Sequence, residues 1–260
     1  MQNQPKNNSG GTPLLIIGAV FLIAIIGGWW LYSSSKTPPK PATNTGNSNN
    51  GTNAPTQKDI WERASLGAQP PHVLGSPNSA VTVEEFADFQ CPTCASVQPL
   101  MKQITSAYGG RIKFIFRNYP LIQVHDKAYD AAVAAEAAGM QGKFWDMQNL
   151  LFTNQRTWVA SANHRQQFAD YAEQLGLNVE KFQTDMLGIP AKSRVDADLQ
   201  RARSLQVRST PTVYINGVEI PFSQVTVEGL SQYIDSELQK ANAGKPAQGG
   251  ATEPKAGESK

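Results

Sequence analysis

The chain has 260 residues, enough for one sizeable domain with appendages, and its 40% hydrophobic content is that of a globular protein. Its 23 basic and 21 acidic residues leave a net charge of +2, too small a field to recruit nucleic acid or an acidic polymer. Only two cysteines are present, Cys91 and Cys94. A disulfide between them would close almost no loop, so their spacing points to chemistry rather than to stabilisation.

After a short N-terminal segment, residues 1–13, the stretch LLIIGAVFLIAIIGGWWLY from Leu14 to Tyr32 carries no charge. As a helix it would extend about 28 Å, close to the hydrocarbon thickness of a bilayer. Trp29, Trp30 and Tyr32 at one end suit the headgroup region. WWLYSSS follows in place of a small-residue cleavage site, so residues 14–32 are expected to be an uncleaved transmembrane anchor. Lys6 precedes the span and Lys36 and Lys40 follow it, so charge does not choose the orientation. An extracytoplasmic domain is expected, at the cell surface or in a periplasm, because a cytosol would keep a two-cysteine oxidant reduced.

Residues 33–57 are rich in Pro, Asn, Thr and Gly without apolar periodicity, the composition of a disordered linker. A flexible coil of that length reaches roughly 25 to 30 Å. Residues 243–260 form a similar polar tail, and there is no internal repeat. The folded domain is expected over residues 58–242.

Within it, VTVEEFADF (Val81 to Phe89) reads as a strand running into CPTC, with Pro92 fitting the first position of a helix that ends near Gly109 and Gly110. Ile112 to Tyr119 alternates as a second strand. From about 124 to 206 the pattern is helical, with Gly, Pro and Asn as breakers. TPTVYINGVEI then reads as two short strands around Asn216-Gly217, a strong hairpin turn, and an amphipathic helix follows from about Val227 to Ala241. The order specifies an α/β fold, a sheet with helices packed on it.

Cys91 and Cys94, three apart on a helix, can meet in a disulfide across its first turn. At the helix start Cys91 faces free N–H groups and the positive dipole end, which lower a thiol pKa, so Cys91 is expected to attack and Cys94 to resolve. A zinc site would need a second CxxC or a His pair at ligand spacing, and neither is present.

EFADFQCPTC, NYPL followed by QGKFW, and STPTVYINGV occur in the order and spacing of the DsbA-like thioredoxin-fold oxidoreductases of bacterial envelopes. The chain resembles that family, including its membrane-anchored Gram-positive kind, from about Val73 to Leu238. The resemblance implies a thioredoxin-like fold with a helical insertion at about 124–206, no bound cofactor, and a redox pair with Cys91 exposed and Cys94 buried. Thr210 and Pro211 match the substrate-binding segment with its cis-proline. Glu85 matches an acidic position beneath the site, where it would exchange a proton with Cys94; a solvated strand carboxylate is the alternative, and Asp88 is a weaker competitor.

Within the motif Pro92-Thr93, Thr93 stands where well-known members have His, which removes part of the thiolate stabilisation. A Cys91 pKa of roughly 4.5 to 6.5 is therefore expected, with a reduction potential of about −180 to −110 mV. His125 reads as a packing or capping residue, and His72 and His164 show no partner. Arg111, Lys113 and Arg117 read as the polar side and ends of a strand, and Phe144, Trp145, Leu150, Leu151 and Phe152 as helix core.

The leading expectation is an enzyme that oxidises thiols of reduced or misoxidised secreted proteins and is reoxidised by a quinone-linked membrane oxidase, a partner implied by the resemblance alone. The same pair could serve a reductase or isomerase, and Thr210 before the proline resembles the isomerase relatives. From other classes, a Cu(I) chaperone would want a third soft ligand, and a redox-independent holdase would not need the cysteines.

Overall fold

The computed structural model describes residues 55–243. The expected anchor at residues 14–32, most of the linker and nearly all of the tail lie outside the described residues. Among the described residues no helix is long and apolar enough to cross a membrane.

The first element is the short helix α1 (Gln57–Arg63), where a linker was expected to end. Thr56 caps it. The Thr56 hydroxyl accepts from the Asp59 N–H at 3.2 Å and the Asp59 carboxylate accepts from the Thr56 N–H at 2.8 Å, a reciprocal capping box. Thr56 and Gln57, expected to be linker, therefore belong to this capped helix.

Five strands follow: β1 (Val73–Gly75), β2 (Thr82–Ala87), β3 (Lys113–Asn118), β4 (Thr212–Ile215) and β5 (Val218–Ile220). They form one sheet in the order β1-β3-β2-β4-β5, parallel between β2 and β3 and antiparallel elsewhere. Strand β1 was not foreseen, because three residues are too few to show an alternation. The hairpin was. Asn216 and Gly217 have φ of 46° and 83°, the left-handed pair that a two-residue hairpin turn requires. A Cβ on Gly217 would stand 2.7 Å from the Trp61 ring of α1, so glycine is also demanded by packing.

Helix α2 (Pro92–Tyr108) leaves the end of β2 through the CPTC turn and runs on through Pro99. Six helices, α3 (Ala128–Gly139), α4 (Phe144–Thr153), α5 (Gln155–Ala160), α6 (His164–Gln174), α7 (Val179–Leu187) and α8 (Ile189–Ser204), make up the insertion between β3 and β4. Helix α9 (Val227–Ala243) closes the described chain. Between them the elements give a thioredoxin-like α/β fold with a helical insertion.

The sheet separates two hydrophobic clusters. On one face Val83, Ala87, Phe114 and Phe116 pack against Val97, Met101 and Ile104 of α2, against Leu230 and Ile234 of α9, and against the aromatic and alanine-rich helices of the insertion. On the other, Phe86 and Tyr214 pack with Ala202, Leu205 and Val207, and Ile60 and Trp61 of α1 lean on them. Of the residues expected in helix cores, Phe144, Leu151 and Phe152 are buried, while Trp145 and Leu150 are half-buried.

Because β2 is central, both of its adjacent glutamates are buried, one on each face. Glu84 is fully enclosed on the second face and accepts from Arg201 Nε at 2.8 Å and Nη2 at 2.7 Å, and from Arg117 Nε. Arg117 also donates to Asp198 at 3.0 Å and to the Ala68 and Leu66 carbonyls, each at 2.9 Å. Far from being a surface strand residue, Arg117 is 3% exposed. His72 and His164, which showed no partner in the sequence, bond to Glu136 and Asp130, each at 2.8 Å.

Removing one member of such a buried network leaves an uncompensated charge, and the cost exceeds what the intact pair contributes. Arg117→Met, which among the described residues leaves Asp198 without a cation and Glu84 with Arg201 alone, is expected to destabilise the fold by about 3 to 5 kcal/mol, measured by urea denaturation. A loss under about 1 kcal/mol would mean that the cluster is screened as a surface pair is.

Candidate active site

Strand β2 delivers the chain to the site. Ala87 is its last residue, the Cys91 N–H bonds to the Asp88 carbonyl at 3.1 Å to close a tight turn, and Cys91 becomes the N-cap of α2 with φ −71° and ψ 120°. Pro92 takes the first helical position, where its missing N–H forfeits nothing. The Cys91 carbonyl accepts from Ala95 at 3.2 Å as the first bond of the helix.

The two thiols are free and sit in opposite environments. Cys91 is 8% exposed and Cys94 1% exposed, so the expectation of an exposed Cys91 is corrected: the helix start packs against the chain at Thr210, and both cysteines are buried, Cys91 slightly less so. The Cys94 thiol donates to Cys91, and the backbone N–H groups of Cys94 and Thr93 add to it against the opposing effect of burial; together they pull the Cys91 pKa from 9.0 down to about 5. That lies inside the range expected from its position at the helix start. Burial pushes the Cys94 thiol far up, and its hydrogen bond to Cys91 pushes the same way.

Across the site the Cys91 sulfur stands 3.6 Å from the Thr210 carbonyl oxygen, and the Thr210-Pro211 bond is cis. The chain between α8 and β4 thus faces the thiol pair, as the motif implied. A second cis bond, Gln69-Pro70, had no signal in the sequence.

Glu85 lies on the apolar face of β2, beside Phe116 in the register with β3, and is 1% exposed. Oε2 has no hydrogen-bond partner among the described residues. Desolvation alone raises its pKa from 4.5 to about 8, so the side chain is a neutral acid at neutral pH. The alternative of a solvated strand carboxylate is therefore excluded for Glu85, and for the buried Glu84 as well.

Asp88 and His125 meet, with His125 Nδ1 2.8 Å from Asp88 Oδ2, so His125 has a partner in the turn rather than a capping role. Gln155 at the start of α5 was overlooked. Its buried amide donates to the carbonyls of Phe89 at 2.7 Å and Cys91 at 2.9 Å, holding the catalytic turn from the insertion. One glutamine in a helical block carries no periodicity or spacing signal that could have marked it.

Residues 68–236 match the thioredoxin family model. Among solved structures, BdbD from Bacillus subtilis is 26% identical, covers 68% of this chain and 98% of its own, and superposes with a TM-score of 0.58. A thioredoxin-like oxidoreductase from Silicibacter pomeroyi is 24% identical over 67% of this chain and 94% of its own, with a TM-score of 0.55. Two curated relatives carry the name Na(+)/H(+) antiporter: NhaA 1 of Mycolicibacterium gilvum, 35% identical over 56% of this chain, and NhaA 3 of Salinispora tropica, 35% identical over 65%. The chain spans only 23% and 25% of those proteins, so the likeness is to one domain-sized segment of each. With a family match over most of its folded part, two thiols of opposed acidity at a helix start and a cis-proline facing them, the chain belongs to the thioredoxin family, as a DsbA-like thiol-disulfide oxidoreductase.

Proposed function

We propose that the protein oxidises thiols of secreted proteins outside the cytoplasm, using a Cys91-Cys94 disulfide as the electron acceptor. The observation that carries this reading is the separation of the two thiols, with Cys91 held near pKa 5 and Cys94 far above its ordinary value. A stabilised Cys91 thiolate stabilises the reduced pair, and a pair whose reduced form is stabilised makes an oxidising disulfide.

In the oxidised protein a substrate thiolate attacks the Cys91 sulfur, the Cys91–Cys94 bond breaks, and Cys94 leaves with the electron pair. Being buried, the Cys94 thiolate takes a proton, which the neutral Glu85 acid is placed to supply. The mixed disulfide between Cys91 and the substrate is then resolved by a second substrate thiolate, which attacks the substrate sulfur and expels Cys91 as its stable anion. Two electrons end on the Cys91/Cys94 pair. The Thr210-Pro211 segment, which faces the sulfur, would hold the substrate backbone during both steps. Reoxidation needs an acceptor, for which a quinone-linked membrane oxidase is the partner proposed. The apolar run at 14–32 and the polar linker after it support a single-pass anchor in the cell membrane, with the catalytic domain tethered on the extracytoplasmic side.

Cys94→Ser leaves a Cys91 thiolate that can attack a substrate disulfide but has no Cys94 to release it, so this variant should accumulate mixed disulfides on a non-reducing gel, and Cys91→Ser should accumulate none. Equal trapping by both variants would contradict the assignment of roles. Equilibration with glutathione should give a potential of about −180 to −110 mV, and a value near −270 mV would replace the oxidase reading with a reductase.

The depressed Cys91 pKa stabilises the folded reduced form fully above pH 9, progressively less as the pH falls, and no longer below about 5. The reduced protein should accordingly melt above the oxidised one at pH 7, with the gap closing toward pH 5. A gap independent of pH would show that Cys91 does not ionise in this range.

The raised Glu85 pKa has the opposite sense, with stability present below 4.5 and lost as the pH rises through about 8. Glu85→Gln should raise the denaturation midpoint at pH 8, leave it nearly unchanged at pH 4, and slow turnover by roughly 10- to 100-fold through loss of the proton donor. Unchanged turnover at both pH values would remove Glu85 from the mechanism.

A further inference from the structure

Asp88 is joined to more of the catalytic turn than any residue foreseen in the sequence. Its side chain is fully buried and accepts three hydrogen bonds: from the Gln90 N–H at 2.7 Å, from the Leu121 N–H at 2.8 Å, and from His125 Nδ1 at 2.8 Å. Its backbone meets both cysteines. The carbonyl accepts from the Cys91 N–H at 3.1 Å, and the backbone hydrogen bond of Asp88 favours the Cys94 anion.

A carboxylate has no proton to offer, so His125 must donate from Nδ1. His125 belongs to the loop that leads from β3 into the insertion, and that loop grips Gln90 as well. The Lys127 N–H donates to Gln90 Oε1 at 2.8 Å, and Gln90 Nε2 donates to Asp126 at 3.0 Å. Two residues flanking the start of the CPTC turn are thereby fixed from one side, while Gln155 fixes the Phe89 and Cys91 carbonyls from another. Among the described residues, none of the other charged groups around the turn bonds to the Asp88 carboxylate. The Lys127 ammonium donates to the Val159 and Ser161 carbonyls, Asp126 is held by Gln90, and Glu85 lies on the sheet beneath Cys94.

We propose that Asp88 and His125 are positioning residues for the thiol pair: the hydrogen bond from His125 Nδ1 holds the Asp88 carboxylate, and the carboxylate holds the turn so that the Thr93 and Cys94 N–H groups stay aimed at the Cys91 sulfur. Without that donor the buried carboxylate has one partner fewer and the turn loses its tie to the loop, so the Thr93 and Cys94 N–H groups are aimed less well at the Cys91 sulfur. That disfavours the Cys91 thiolate.

The inference rests on the Cys91/Cys94 pair and not on the direction of electron flow. A reducing potential in the native protein would sink the oxidase reading and leave this one standing.

The position of the donor can be tested with two polar side chains that differ only in reach. His125→Asn places its amide nitrogen where Nδ1 lies, whereas His125→Gln places it near Nε2. In the reduced full-length protein, the ultraviolet thiolate absorbance against pH should put the Cys91 midpoint of the Asn variant within about threefold of the native acidity constant. The midpoint of the Gln variant should rise by about one unit, and its glutathione equilibrium should shift toward the oxidised enzyme by a comparable factor. Rescue by Asn and not by Gln marks a positioned donor. Equal midpoints and equal glutathione equilibria in the native, Asn and Gln proteins would overturn the proposal, even if both variants melted lower in both redox forms, since that is what a packing role alone produces.

Discussion

The structure is organised around two adjacent glutamates on its central strand, neither of which can reach water. Glu84 and Glu85 point to opposite faces of β2, and the chain solves the two burials differently. Glu84 stays among cations, enclosed by Arg117 from the neighbouring strand and Arg201 from the last helix of the insertion. Glu85 receives no cation from the described residues and is neutral instead, its carboxyl held protonated by desolvation. A buried ion pair gives little net stability against an apolar replacement, but its geometry is demanding. Here that demand fixes α8 against the sheet, and with it the chain that returns to Thr210 and Pro211.

The same contrast between compensated and uncompensated burial recurs in the thiols. Cys91 and Cys94 are one helical turn apart and share a motif, yet their acidities diverge. The N-cap position gives Cys91 the free N–H groups of the first turn, whereas Cys94 is enclosed with Glu85 nearby. Divergent acidity in a linked pair distinguishes its two sulfurs, Cys91 stable as an anion and Cys94 not.

The helical insertion contributes more than surface. Arg201 and Asp198 reach the sheet, Gln155 holds the carbonyls of the catalytic turn, and the loop at its entrance supplies His125. Each contact spans a long stretch of chain and ends on β2, β3 or the turn between β2 and α2. The insertion is thus built into the polar interior of the sheet domain.

Much of this was legible in the sequence, and the legible part is local. The β-branched and aromatic residues of Val81 to Phe89, proline after Cys91, Asn216-Gly217 between short apolar runs, and two cysteines three apart each act within a few residues, so composition and spacing were enough to specify the strand, the helix start, the hairpin and the thiol pair. The cap of α1 was also local, in Thr56 and Asp59, but was hidden in a polar stretch that read as linker. What only the tertiary structure decided is which charges are buried and with whom. Glu84 and Arg201 lie 117 positions apart, and Cys91 and Thr210 lie 119 apart. No local pattern sets Arg117 in a core rather than on a surface, or brings His125 under Asp88. Burial is a property of everything packed around a residue, and a buried carboxylate such as Glu85 takes its acidity from that surrounding, whereas the Cys91 thiol owes its acidity mainly to Cys94 and Thr93 beside it in the chain.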